Sequence, residues 1–351
     1  MSLDPRVRRV VGCISLENWD DTWRRNQHFA SRLVSQGQAA RLVFVEPPVL
    51  GRGWRRWSPE PGVTVVRPPL WLPKRAGGLW LAGLLLRRGP LRRVGVLWVN
   101  DPQLGRHCLR SGQPTTYDVT DDWRVFANAE HVRERIVAAE DRLARHASTV
   151  VCSAVLVERW AERYAVTARL VPNAVDSAAI RAAVPVPLDG AGPHLGYVGT
   201  LHDQRLDVPL VISLAQAALG TVHLVGPDFL EPQSRAALLA AGVVLHGPVP
   251  TAQVPGWLLA MDVLLCPHLV NDFTLSLDAI KAHEYLATDR PIVATPTSGF
   301  QSLAAAGLTV TAASEFALAA RTAIGRQHPG RSTTSWDERT QQFADALLSS
   351  G

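Results

Sequence analysis

Lysine is nearly absent from this 351-residue chain: of its 36 Lys and Arg side chains, only Lys74 and Lys281 are lysines. A lysine kept where almost every cation is arginine marks its position, because an ammonium is a compact point charge suited to a phosphate oxygen. Cysteine is scarce, and the four present (Cys13, Cys108, Cys152, Cys266) have no paired spacing. This argues against a disulfide framework or a zinc site and suits reduced, buried thiols in the cytoplasm. Long apolar runs are missing. Residues 10–16 are too short for a secretory core and lead into Glu17-Asn18-Trp19-Asp20-Asp21, and no segment has transmembrane length. No Gly-x-Gly-x-x-Gly follows the first strand-like segment, which argues against a dinucleotide site there. The 11 His are dispersed, so no bound metal or other cofactor is expected.

What is present is an ordinary globular composition, 47% hydrophobic and 19% charged, on a chain long enough for two domains. The net charge of +5 is unevenly spread. Residues 51–100 carry ten basic side chains and one acid, Glu60, a local charge of +9 that leaves −4 for the remainder. Trp54, Trp57, Trp71 and Trp80 are interleaved with those cations. An amphipathic helix with solvated Arg ends accounts for residues 79–88; a membrane-surface element in residues 51–93 is the second reading. Nucleic acid ranks last, because no helix-turn-helix, RNA-recognition or zinc-finger pattern accompanies the charge.

The order of segments is that of doubly wound α/β domains. A strand over residues 8–16, a helix from about Thr22 to Gln36 and a strand from Arg41 open the chain. Tyr117-Asp118-Val119-Thr120-Asp121-Asp122-Trp123 puts three acids at a strand end, where α/β folds place their chemistry. After a Pro- and Ala-rich stretch to Pro193, strands ending at Gly199, Gly226 and Gly247 recur, and glycine at a strand end lets backbone approach a ligand. Residues 271–295 read as loop, helix, tight turn and buried strand, with Ser276 as N-cap and Pro291 after the helix. Lys281 and Glu284 are three apart and share a face. They make either a surface ion pair of little worth or a nucleotide site, the ammonium on phosphate and the carboxylate on ribose hydroxyls.

Lys281, then Glu284-Tyr285-Leu286-Ala287, then Pro291-Ile292-Val293-Ala294-Thr295 resemble the donor-binding helix of GT-B glycosyltransferases, in particular bacterial transferases of teichuronic-acid and exopolysaccharide synthesis, glucuronosyltransferase-like. Similar patterns lie in residues 23–30, in Val45-Glu46-Pro47-Pro48 and in the linker phrase Val171-Pro172-Asn173-Ala174-Val175-Asp176, where Ala174 replaces the usual Gly. Ser276 stands where the larger retaining group has an acid.

The resemblance implies two Rossmann-like domains facing across a cleft. Residues 1–172 would bind the acceptor, residues 173–335 the nucleotide-sugar, and a helix over residues 336–351 would cross back to the first domain. It implies a metal-independent transfer of a hexosyl group from a UDP- or TDP-type donor to a hydroxyl of a glycan, lipid-linked or natural-product acceptor. Gly199, Arg205, Gly226, Gly247, Lys281, Glu284 and Thr274 are the expected donor-binding residues. Asp121 or Asp122, with Asp118 behind them, would be the base, and His28 a further catalytic residue. The expected location is cytoplasmic, peripheral on the inner membrane face if residues 51–93 bind lipid. A nucleotide-sugar 2-epimerase and a non-catalytic nucleotide-binding homologue are the alternatives on the same fold.

Overall fold

The computed structural model describes residues 10–51, 53–126, 129–329 and 331–348. The chain divides into two compact units, residues 1–172 with 336–351, and residues 173–335.

The first unit is built on strands β1 (Val10–Ile14), β2 (Arg41–Val45), β4 (Arg55–Trp57), β5 (Val63–Arg67), β7 (Val96–Val99), β8 (Thr115–Val119), β9 (Ser148–Val151) and β10 (Arg169–Leu170). Their order in the sheet is β10-β9-β8-β7-β1-β2-β5-β4. All neighbours are parallel except β4, which pairs antiparallel with β5 at the edge. Central strands such as Val96-Leu97-Trp98-Val99 are buried at every residue, as a parallel sheet covered on both faces requires. β3 (Val49–Leu50) and β6 (Pro69–Leu70) form a separate two-stranded ribbon.

The last helix, Trp336–Leu348, belongs to this unit. Phe343 stacks on Phe29 with ring centroids 4.4 Å apart and meets Trp98 edge-on at 4.9 Å. The helix carrying Phe29 runs Arg25–Ser35, three residues shorter at its start than the pattern implies. The reason is its cap: the Gln27 side chain accepts from the Arg24 amide at 3.0 Å and donates to the Asp20 carbonyl at 2.8 Å, which holds the preceding residues in a turn.

The second unit holds β11 (His194–Val198), β12 (Thr221–Val225), β13 (Val244–Gly247), β14 (Val263–Cys266), β15 (Ile292–Ala294) and β16 (Thr309–Val310). All are parallel, in the order β13-β12-β11-β14-β15-β16. The chain winds outward from β11 through β13, then crosses back to β14. The switch point lies between β11 and β14, and ligands of such sheets bind beyond the carboxyl ends of the strands there. Ala174 is fully buried and is not among the residues with positive φ, so its replacement of glycine stores no backbone strain. Among the described residues no helix is long and apolar enough to cross a membrane.

Candidate functional site

Three chain segments meet at the switch point of the second unit. The helix Ile280–Leu286 is shorter than the sequence pattern suggests. Ser276 is not its N-cap: the Ser276 hydroxyl donates to the Phe273 carbonyl at 2.7 Å within a 3-10 turn, Thr274–Ser276. Two contacts fix the helix. The buried Tyr285 hydroxyl accepts from the Val198 amide of β11 at 3.0 Å and donates to the Leu265 carbonyl of β14 at 3.2 Å. At the other end the Asp278 carboxylate accepts from the Asn173 amide and lies 3.1 Å from His283 Nε2. Sequence reading gave Tyr285 no contact across the sheet and Asp278 only a place in the first helical turn, because Val198 and Asn173 lie 87 and 105 residues away.

This docking lays Lys281 over the end of β11. Its Nζ sits 4.9 Å from the centre of the Tyr197 ring, within cation–π range. Gly199 has φ +155°, and a Cβ there would stand 2.7 Å from Lys281 Cε and 2.9 Å from Nζ, so glycine is what admits the lysine. Burial works against the Lys281 charge, but the Tyr197 hydroxyl and Cys266 thiol beside it raise the pKa, and the group is an ammonium at neutral pH. Tyr197 is itself held: its hydroxyl donates to the Thr200 carbonyl at 3.2 Å and lies 3.1 Å from His268 Nε2. His268 is buried, and burial followed by the charges of Lys281 and Arg205 keeps its pKa well below the ordinary value. It is a neutral imidazole, a feature that only its three-dimensional neighbours reveal.

The carboxylate of Glu284, one turn after Lys281, makes no hydrogen bond among the described residues. Burial raises its carboxyl pKa, with Lys281 and His283 pulling it back. A half-buried carboxylate with open acceptor positions is suited to vicinal hydroxyls. Gly226 and Gly247 close the neighbouring strand ends. The Gly226 amide donates to the Gly247 carbonyl at 2.8 Å, and a Cβ on Gly226 would stand 2.2 Å from the Gly199 carbonyl oxygen. The Arg205 guanidinium lies over the Phe273 ring at 5.2 Å, and its carbonyl accepts from the Leu269 amide at 2.8 Å, tying the loop after β11 to the loop after β14.

One expectation for this unit needs correction. Thr274 is fully buried and its hydroxyl donates to the Leu269 carbonyl at 2.6 Å, so it shapes the loop and has no hydroxyl to offer a donor. The helix Val208–Gln216 does not present open amides, because the Asp207 carboxylate caps Leu210 at 3.0 Å and Val208 bonds to the Leu206 carbonyl.

The acids of the first unit separate by environment. Asp118 is fully buried and pairs with Arg25 at 3.0 Å, which makes it part of the core. Asp122 is buried and paired with Arg159 at 2.9 Å and Arg163 at 2.6 Å. Burial pushes its carboxyl up, but Arg163 and Arg159 outweigh this and hold the pKa below the usual carboxylate range. A carboxylate so stabilised is a poor base, and Asp122 is reassigned to structure. Asp121 is half-buried and accepts from the Thr120 hydroxyl at 3.2 Å. His28 is stacked on Trp336 at 4.3 Å, 10° from coplanar, with its Nδ1 3.2 Å from Arg32. Burial and Arg32 lower its pKa to about 3. Its place is the packing of the last helix, and no catalytic role is carried forward for it. Among the described residues no group of three or more His, Cys, Asp or Glu is placed to hold a metal.

Two parallel Rossmann-like sheets are the architecture of the GT-B glycosyltransferases, and comparison with solved structures assigns the fold to that class. Sucrose-phosphate synthase from Thermosynechococcus elongatus superposes with a TM-score of 0.70 at 16% identity, covering 97% of this chain and 95% of the other. A trehalose-6-phosphate protein from E. coli bound with UDP-2-fluoro glucose gives 0.68 at 12%, covering 97% and 96%. Anabaena HepE in complex with UDP-glucose gives 0.65 at 12%, again covering 97% and 96%. Residues 192–325, which include Gly199, Arg205, Gly226, Gly247, Lys281 and Glu284, match the family Glycosyl transferases group 1. TuaH of Bacillus subtilis (strain 168), named as a teichuronic acid biosynthesis glycosyltransferase, is 25% identical over 205 residues, 53% of this chain and 51% of TuaH. The chain thus spans about half the length of the curated relative it matches.

Proposed function

We propose that this protein is a glycosyltransferase that moves a sugar from a nucleotide-diphosphate donor to an acceptor hydroxyl. The observation that carries the reading is the Lys281 ammonium held against Gly199 at the switch point of the second sheet, with Glu284 one turn on. In this reading Lys281, with Arg205 in the adjoining loop, takes the diphosphate. Cations there stabilise charge as it develops on the leaving nucleoside diphosphate, and a low-dielectric site magnifies the effect. Glu284 accepts from the ribose hydroxyls, and the backbone at Gly226 and Gly247 borders the base. The two structural neighbours that hold a UDP-sugar favour a UDP-type donor, with TDP as the other choice.

The acceptor hydroxyl needs a base. Asp121, half-buried just beyond the end of β8 beside the Thr120 hydroxyl, is the proposed group. The transfer is proposed to run without a metal, and activity that survives EDTA is the expected outcome. Calorimetric titration with UDP, TDP, GDP and ADP, beside Lys281→Ala, tests the donor site. One nucleotide should bind and should weaken by about 1.5–3 kcal/mol in the variant, the range of a charge-assisted contact. Binding of none of the four, or binding that Lys281→Ala leaves unchanged, overturns the reading.

A further inference from the structure

We infer that residues 49–51 and 53–80 of the first unit form a surface that docks on an anionic lipid bilayer. The inference stands apart from the donor-site reading, since it uses no residue of the second unit. Its first support is the exposure of large apolar side chains in one short region: Leu50 73%, Trp54 40%, Trp71 47%, Leu72 44% and Trp80 55%. Single exposed apolar residues are normal on any protein, whereas a contiguous group marks an interaction site.

The fold brings Leu50, Trp71 and Leu72 together, with Trp80 on the helix that follows. β3 pairs with β6, which sets Leu50 beside Leu70 and Trp71, and these residues with Gly51 line a cleft of about 440 Å³. Every residue from Trp71 to Gly77 is exposed. The helix Gly78–Arg88 starts hard against this segment, since a Cβ on Gly78 would stand 1.9 Å from the Leu72 carbonyl oxygen. That helix turns Leu79, Ala82 and Leu86 into the core and leaves Trp80 outside.

The second support is charge. Arg55, Arg56, Lys74 and Arg75 are exposed within the same region. Its single acid, Glu60, accepts from the Ser31 hydroxyl at 3.0 Å. Lys74 also acts on the buried carboxylate of Asp101, which caps the short helix Pro102–Gly105. Indole rings suit the headgroup layer, leucines suit the acyl boundary beneath it, and basic side chains meet anionic phosphates. Apolar insertion or charge alone gives marginal membrane binding, and the two together give stable binding. Leu50 and Leu72 favour lipid over nucleic acid, because a sugar-phosphate backbone offers aliphatic side chains nothing.

Flotation of the full chain with vesicles decides the matter, using phosphatidylcholine alone and phosphatidylcholine mixed with phosphatidylglycerol. The chain should float with the anionic vesicles at low salt, about 10-fold or more better than with neutral ones, and detach as salt rises. Two variants should each lose about 10-fold or more: Trp71→Ser with Leu72→Ser and Trp80→Ser, and Lys74→Glu with Arg75→Glu. Unchanged circular dichroism and nucleotide titration would show both variants folded. Absence from the anionic vesicle fraction overturns the inference, as does equal flotation of wild type and both variants. Tighter binding to single-stranded RNA than to vesicles reassigns the surface to nucleic acid. Self-association lost in the apolar variant, with no vesicle binding, reassigns it to a second copy of the chain.

Discussion

Lys281 lies over the ring of Tyr197, its Nζ 4.9 Å from the ring centre, while the Tyr197 hydroxyl is held by the Thr200 carbonyl and His268. Ring and hydroxyl both lie beside the ammonium, and the expectation is that the ring sets where it points. Tyr197→Phe should therefore keep nucleotide affinity within about 3-fold, whereas Tyr197→Leu should lose about 1–2 kcal/mol, the worth of a partly desolvated cation–π contact. Calorimetry on the two variants reads this directly; equal losses would assign the orienting role to the hydroxyl.

Gly199 and Gly226 should fail in different ways. In Gly199→Ala the new methyl meets the flexible end of Lys281 at 2.7 Å, so the lysine is displaced and nucleotide binding drops by about 10-fold or more, with a smaller loss of stability from alanine at φ +155°. In Gly226→Ala the methyl meets rigid backbone, the Gly199 carbonyl oxygen at 2.2 Å, and φ is +142°. That variant should lose stability, by about 2 kcal/mol or more. Thermal melting beside nucleotide titration separates the two; a Gly199→Ala protein that binds normally contradicts the contact.

Asp121 and Asp122 are neighbours in sequence with opposite expected phenotypes. Asp122→Asn leaves Arg159 and Arg163 without their carboxylate and should cost on the order of 3 kcal/mol of stability, while the folded fraction turns over normally. Asp121→Asn should melt like the wild type and lose about 10²–10⁴-fold in kcat, the usual contribution of a general base. Urea unfolding and steady-state kinetics on both variants check the assignment. A reversed pattern would return Asp122 to the chemistry.

Stability should fall on acidification below neutral pH. Burial, with neighbouring charge, depresses His28 to about 3 and His223 to about 4, from an ordinary value of 6.5. The folded pKa values lie below the unfolded ones, so between them the unfolded chain binds more protons. The stabilisation is complete above about pH 6.5 and is lost as pH falls toward those folded values. His223 sits inside a chain of imidazoles, 3.0 Å from His194 on one side and 2.9 Å from His246 on the other. Melting temperatures from pH 7 to pH 4.5 should decline, and less steeply in His223→Gln. A flat profile would contradict the buried neutral imidazoles.

The alternation of strands and helices, the glycine-ended strands and the position of the Lys281 helix were legible because they rest on local signals: apolar runs, turn residues and spacing along one helix face. The α/β architecture followed from those signals together with the resemblance of short motifs. Helix starts were less legible. Arg25–Ser35 begins late because Gln27 caps it, and Ile280–Leu286 begins late because Ser276 bonds to Phe273. A competing side-chain hydrogen bond leaves no trace in hydrophobic periodicity.

By itself the sequence determined which residue types stand at the ends of which strands, and one of its two lysines marked the helix proposed to bind the donor. Only the tertiary structure decided what each acid, histidine and hydroxyl does. Asp118, Asp121 and Asp122 lie within five residues of one another, yet Arg25 lies 93 positions from Asp118, and Arg163 lies 41 from Asp122. His28 is claimed by Trp336, and His268 by Tyr197. The physical reason is that desolvation and charge pairing act through space. The protonation and availability of a buried polar group depend on partners that chain order does not place beside it.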